Sequence, residues 1–102
     1  MKLNKISENG ILTVIVDGDI TATTAPELES ALGDLNGVKE LTFDFDKVSY
    51  ISSAGLRVLL ACQKKMMAAA GDMRIINCND FVTDIFEIVG YDRFMKLQKK
   101  QS

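Results

Sequence analysis

Residues 41–60, LTFDFDKVSYISSAGLRVLL, change their hydrophobic period midway, and this change restricts the folds open to the chain. Leu41, Phe43 and Phe45 alternate with Thr42, Asp44 and Asp46, the two-residue period of a strand with one apolar face. Beyond Ser53 the apolar residues recur at helical spacing instead. Leu56, Leu59, Leu60, Met66, Met67 and Ala70 gather on one side of a helix expected from Ser53 to Ala70 and closed by Gly71, with Arg57, Lys64 and Lys65 outside the stripe. Gln63 falls inside it, which the sequence does not explain. A strand feeding such a helix returns to its sheet by a crossover, and crossovers join parallel strands.

The same alternation extends along the chain. Residues 2–7 and 11–17 read as strands joined at Asn9-Gly10, a strong hairpin signal, with Leu12, Val14 and Val16 on one face of the second. After the loop DGDITATTAP, Thr24 and Glu27 suggest a capping box with Pro26 in the first turn. Leu28, Ala31, Leu32 and Leu35 continue that helix, and Asn36-Gly37 is its expected stop. MRIIN reads as a strand. DFVTDIFEIVG reads as a helix capped by Asn79 or Asp80 and stopped at Gly90, and RFMKL as a short last strand. The fold class is α/β: a mixed sheet with an N-terminal hairpin and then parallel strands, with helices mainly on one face. Phe43, Phe45, Leu56, Leu59, Leu60, Ile85 and Ile88 are the expected core. A chain of 102 residues holds one such domain, expected over 1–97, and 98–102 (QKKQS) read as a frayed polar tail.

Several function classes drop out. A net charge of −2 with mixed signs gives no footprint for nucleic acid. No apolar run reaches the roughly 18–20 residues of a membrane span, and the N-terminus lacks a signal-peptide core, so a cytoplasmic location without membrane insertion is expected. Cys62 and Cys78 lie in apolar segments and read as buried free thiols. With no histidine in the chain, the commonest general base and zinc ligand is missing. No nucleophile elbow, phosphate-binding loop or dinucleotide fingerprint is present. DFDKVSYISSAG starts like a calcium loop but lacks its glycine and closing glutamate. Asp17 and Asp19 read as a solvated turn. No catalytic residue, metal or cofactor is assigned, and the chain is not expected to be an enzyme.

Ser52-Ser53-Ala54-Gly55 remains, at the point where strand gives way to helix. Serine there can simply cap the helix, with Ala54 and Gly55 allowing a tight turn. Alternatively, a hydroxyl at a helix start can carry a phosphoryl group. The first turn offers unpaired N–H groups and partial positive charge to a dianion. On that reading Gly55 keeps the approach open to a docking enzyme.

LTVIVDGDI before a loop, TAPEL at the first helix, LTFDFDKVSYISSAGLRVLL at the centre and FVTDIFEIVGYDRFMKL near the end together resemble the STAS domain of bacterial anti-sigma factor antagonists, over nearly the whole chain. The resemblance implies a binding module rather than an enzyme. In that family the central motif reads Asp-Ser-Ser-Gly, and its first serine is phosphorylated; here Ser53 matches the acceptor, and Ala54 and Gly55 the two following positions. The implied partners are an anti-sigma factor that is also a serine kinase, bound by the unphosphorylated form, and a serine phosphatase. The implied partner-binding residues are Thr21, Ser52, Ser53, Ala54, Gly55 and Arg57. Ser52 and Thr21 stand where the family carries aspartates, so both acidic positions are neutral. The alternative is the same domain in another assembly, such as a lipid transporter or a stressosome-like complex. A small enzyme using Ser53 as nucleophile ranks last, for want of a base.

Overall fold

The computed structural model describes residues 1–101; Ser102, the last residue of the expected tail, lies outside them. Five strands, β1 (Lys2–Glu8), β2 (Ile11–Asp17), β3 (Glu40–Lys47), β4 (Asp72–Cys78) and β5 (Lys96–Lys99), form one sheet in sequence order. The hairpin β1–β2 is antiparallel and every later pairing is parallel. Asn9 and Gly10 both take positive φ, 52° and 82°, the twist that a two-residue hairpin requires. The helices α1 (Ala25–Leu32), α2 (Ser53–Ala68) and α3 (Asp80–Ile88) fill the three crossovers. Because each new parallel strand adds on the same side, right-handed crossovers place all three helices on one face. Burial follows. Val14, Val16, Leu41, Phe43, Phe45 and Ile75 are fully buried, whereas Thr13, Ile15, Thr42 and Asp44 on the other face are half-buried.

Local chemistry shifts several expected boundaries. The capping box does not form: the Thr24 hydroxyl donates to the Asp19 carbonyl at 2.7 Å and accepts the Thr21 amide at 2.8 Å, so it is already engaged. α1 ends at Leu32 because Gly33 turns to φ 56°, ahead of the Asn36-Gly37 stop, and Asp34 accepts from Asn36 to build a separate turn. α2 ends at Ala68, and Ala70 rather than Gly71 takes the left-handed conformation, with φ 56°. Gly71 serves close packing, since a Cβ there would stand 2.7 Å from both the Lys39 carbonyl oxygen and Met66 Cε. Met67 and Ala70 are exposed, so the apolar stripe of α2 runs instead through Leu56, Val58, Leu59, Cys62, Gln63 and Met66. Gln63 is buried with its Oε1 unpartnered among the described residues.

Ile88, expected in the core, is 78% exposed; Val82 and Phe86 hold α3 to the sheet, and Ile85 is half-buried. The last strand starts at Lys96, after a 3₁₀ turn over Tyr91–Arg93, and takes in Gln98 and Lys99 from the expected tail. Lys100 is tied down as well, its amide donating to the Cys78 carbonyl at 2.7 Å and its ammonium 3.0 Å from Asp46.

Both cysteines are buried and unpaired. Burial disfavours the thiolate, pushing Cys62 up to about 11 and Cys78 up to about 12, from 9.0 for an ordinary thiol. Above pH 9 an unfolded chain releases these protons while the folded chain keeps them, so stability falls as pH rises toward 12. Below pH 9 the thiols contribute no slope. Urea midpoints measured across that alkaline range should fall less steeply for the double variant Cys62→Ala, Cys78→Ala than for the parent chain.

Candidate functional site

The loops leaving β2, β3 and β4 meet at the C-terminal edge of the parallel strands, where open α/β sheets commonly place their sites. They are laced by backbone. Gly18 N–H donates to the Lys47 carbonyl at 3.0 Å, Ile20 N–H to that of Tyr50 at 3.0 Å, and Ser52 N–H to that of Ile20 at 2.7 Å. Ile20 and Ile51 thereby form an isolated parallel bridge. The Asp19 carboxylate accepts the Ser49 amide at 3.2 Å, and the Asn79 amide nitrogen reaches the carbonyls of Val48 and Ser49 at 3.3 and 3.4 Å. Asn79 also caps α3, accepting the Val82 amide at 2.7 Å.

α2 starts against this scaffold. Ser52 is its N-cap: the backbone is extended, and Oγ accepts the Gly55 amide at 3.2 Å. Gly55 itself is buried. An added Cβ would stand 2.6 Å from Ile20 Cγ2 and 2.8 Å from Ile51 Cγ1, so the glycine admits the Ile20 side chain. The expectation that Gly55 keeps an approach open from outside is therefore corrected; its open side faces the core.

Ser53 is exposed on the first residue of the helix, and its hydroxyl has no hydrogen-bond partner among the described residues. The amides of Ser53 and Ala54 have no intrahelical acceptor, as at any helix start. The first turn carries no acidic residue. Arg57 is exposed four residues on, on the same helix face as Ser53, and takes part in no ion pair among the described residues. With the half-buried Ala54 it lines a shallow groove of about 330 Å³ that Ala25, Pro26 and Glu29 close from the α1 side.

Thr21 is half-buried and committed to the loop. Its Oγ1 accepts the amides of Thr23 and Thr24, each at 3.2 Å, and its carbonyl accepts that of Ala25 at 2.9 Å. Thr21 thus organises the entrance to α1, the task expected of Thr24. Ser52, Ser53, Ala54 and Arg57 share the first turns of α2, and Ile20, the residue before Thr21, is bonded to Ser52.

Two nearby aromatic residues were not singled out from sequence. Tyr50 and Phe81 stack with centroids 5.8 Å apart, and both are exposed beside the start of α2. Phe81 sits at the expected start of a helix, where an apolar residue reads as core, and nothing in its spacing marks it as exposed. Asp44, the start of the calcium-like stretch, is bound within the fold: its Oδ1 accepts from the Asp46 amide and from Asn77 Nδ2, both at 3.0 Å.

The family model described as "STAS domain" matches residues 2–101. A Bordetella bronchiseptica protein named as an anti-sigma factor antagonist, BtrV, is 31% identical over 93 residues, covering 89% of this chain and 80% of its own length. The crystal structure of an anti-sigma factor antagonist from Mycobacterium paratuberculosis superposes with a TM-score of 0.83 at 25% identity, over 95% of this chain and 84% of that one. The Bacillus cell fate determinant SpoIIAA, in its phosphorylated form, shares the fold with a TM-score of 0.75 at 14% identity, over 94% of this chain and 90% of its own.

Two substitutions test the geometry. Gly55→Ala should destabilise by about 1–3 kcal/mol, the usual cost of overpacking, and Ile20→Ala in the same chain should remove part of that penalty, the contact with Ile51 remaining. Ser52→Ala should cost about 1 kcal/mol for the lost cap. Urea unfolding of the single and double variants measures both.

Proposed function

The chain belongs to the STAS domain family, and from that premise we propose that it is an anti-sigma factor antagonist switched by phosphorylation of Ser53. It is a binding regulator rather than an enzyme. In the unphosphorylated form it sequesters an anti-sigma factor that is also a serine kinase, so that a sigma factor goes free; a serine phosphatase resets it. All of this takes place in the cytoplasm, and no helix among the described residues is long and apolar enough to cross a membrane.

The observation that carries this reading is Ser53 itself: an exposed, unpartnered hydroxyl on the first turn of a helix whose cap is supplied by a different residue, Ser52. Since the cap does not need Ser53, the hydroxyl is free to be modified without loosening α2. A phosphoryl group would add about −1.5 to −2 charges and three strong acceptors. The helix start tolerates that charge, and Arg57, one turn on, lies in the favourable order of anion before cation. Ser52 and Thr21, at the positions where the resemblance implies aspartate, are neutral, so neither adds repulsion. The fold therefore survives modification. A partner surface shaped around a neutral hydroxyl does not, because it must desolvate the dianion or withdraw.

Phosphoserine at position 53 should weaken binding to the anti-sigma factor of the same organism by on the order of a hundredfold, about 2.7 kcal/mol. Ser53→Asp should reproduce part of the loss, and Ser53→Ala should bind as the unmodified protein does while taking up no phosphate. Ser52→Ala should still be phosphorylated. Titration calorimetry of these forms against the purified anti-sigma factor is the test. Equal affinity throughout would leave Ser53 without a switching role.

A further inference from the structure

The free edges of the sheet are β1 and β5, and they differ. β5 is four residues long and carries Lys96 and Lys99, the short and charged form in which proteins commonly protect an edge. β1 is longer and regular. Its seven residues pair with β2 from Lys2↔Asp17 to Glu8↔Ile11 without a shift, whereas the β2–β3 and β4–β5 pairings are both interrupted. It contains no proline, and every residue except the half-buried Leu3 is exposed, Ile6 to 54%. The two-residue turn at Asn9-Gly10 is flanked by a hydrogen-bonded pair, Glu8 and Ile11. Alternation then directs the backbone groups of Lys2, Asn4, Ile6 and Glu8 toward β2, and those of Leu3, Lys5 and Ser7 outward. No backbone bond from another part of the described chain reaches the outward groups.

We infer that this edge pairs with the same edge of a second copy, antiparallel about a two-fold axis at Lys5, so that the two sheets continue into one. In that register Leu3 meets Ser7 of the other copy and Lys5 meets Lys5, each through its outward N–H and C=O. The chain supplies its own complement on the helix-free face. Lys2 lies opposite Glu8 of the other copy at both ends, and neither side chain is in an ion pair among the described residues. The two Ile6 side chains become diagonal neighbours beside the axis and cover one another.

Lys5 is the one like-charge contact. Its ammonium, however, reaches over β2 to the Ala31 carbonyl of α1, 2.6 Å away, so each of the two points away from the axis. An unrelated extended segment would satisfy the same backbone groups but would not by itself match Lys2 and Glu8, which the second copy does in both directions. Such an axis keeps the helices of both copies on one face. It places the two Ser53 residues at opposite ends of the joined sheet, because the parallel strands of the two copies run in opposite directions. Both hydroxyls stay open in the dimer.

Sedimentation equilibrium over a dilution series tests this, with urea midpoints to confirm that each variant is folded. The parent should dimerise as its concentration rises. Ser7→Pro removes an outward N–H while sparing the β1–β2 ladder, and should weaken the dimer roughly tenfold or more. Lys2→Glu and Glu8→Lys each set like charges opposite one another at both ends, and each should weaken self-association several-fold. Mixed in equal amounts, these two variants should associate with each other about as tightly as the parent does with itself, because the mixed pair again sets opposite charges across both ends. Ile88→Ala, on the exposed side of α3, should dimerise like the parent. A parent that stays monomeric, as it would if the edge served a different protein, overturns the inference. So does a dimer indifferent to Ser7→Pro, one lost with Ile88→Ala, or a mixture that associates no better than its components.

Discussion

The contact between the Ile20 side chain and the bare backbone of Gly55 sets the geometry of everything at this end of the molecule. Ile20 is fully buried, and its Cγ2 occupies the space a side chain at position 55 would need. The backbone bonds joining Ile20 to Tyr50 and Ser52 form only because the loop after β2 lies this close to the start of α2. Dense packing of this kind transmits position: a shift of the loop would move the cap, and with it the residue that follows the cap.

Rigidity here has a functional consequence. A modification switch works best when the modified group changes its charge without changing the frame that presents it. Ser52 satisfies the Gly55 amide, Asn79 ties the third loop to the second, and Thr21 closes the turn into α1. These are polar duties carried by neutral side chains. On the proposed switch, a charge acquired at Ser53 would meet no like charge among these three side chains, and its effect would be directed outward, toward whatever approaches α2.

The asymmetry of the sheet extends this logic. With all three helices on one face, α2 and α3 are neighbours, and their starts share one edge. Tyr91 closes the space between them from below, and beside the start of α2 the exposed rings of Tyr50 and Phe81 stack on one another. The exposure of Ile88 follows from this geometry: α3 is already anchored by Val82 and Phe86, and helical spacing turns Ile88 away from the face that carries them.

Periodicity in the sequence by itself determined the element order, the hairpin at Asn9-Gly10, the buried face of Leu41, Phe43 and Phe45, and the placing of Ser52 and Ser53 at a helix start. Each of these depends on residues within a few positions of one another, which is the range over which period and turn chemistry act. Tertiary contact alone decided the rest. Gly55 could be read as an open approach or as a packing requirement until Ile20, far away in the chain, was seen against it. Thr24 matched a capping box, yet Asp19 and Thr21 had already engaged its hydroxyl. Ile88 carried the spacing of a core residue, but one helix can offer two apolar flanks, and only the position of the sheet and of α2 determines which is buried. Gln98 and Lys99 looked like a loose tail because their polarity is local, whereas the edge of β4, along which their strand runs and with which Lys99 pairs at Cys78, is not. Local pattern specifies what an element can present; burial belongs to pairs of elements, and so it is decided only when they meet.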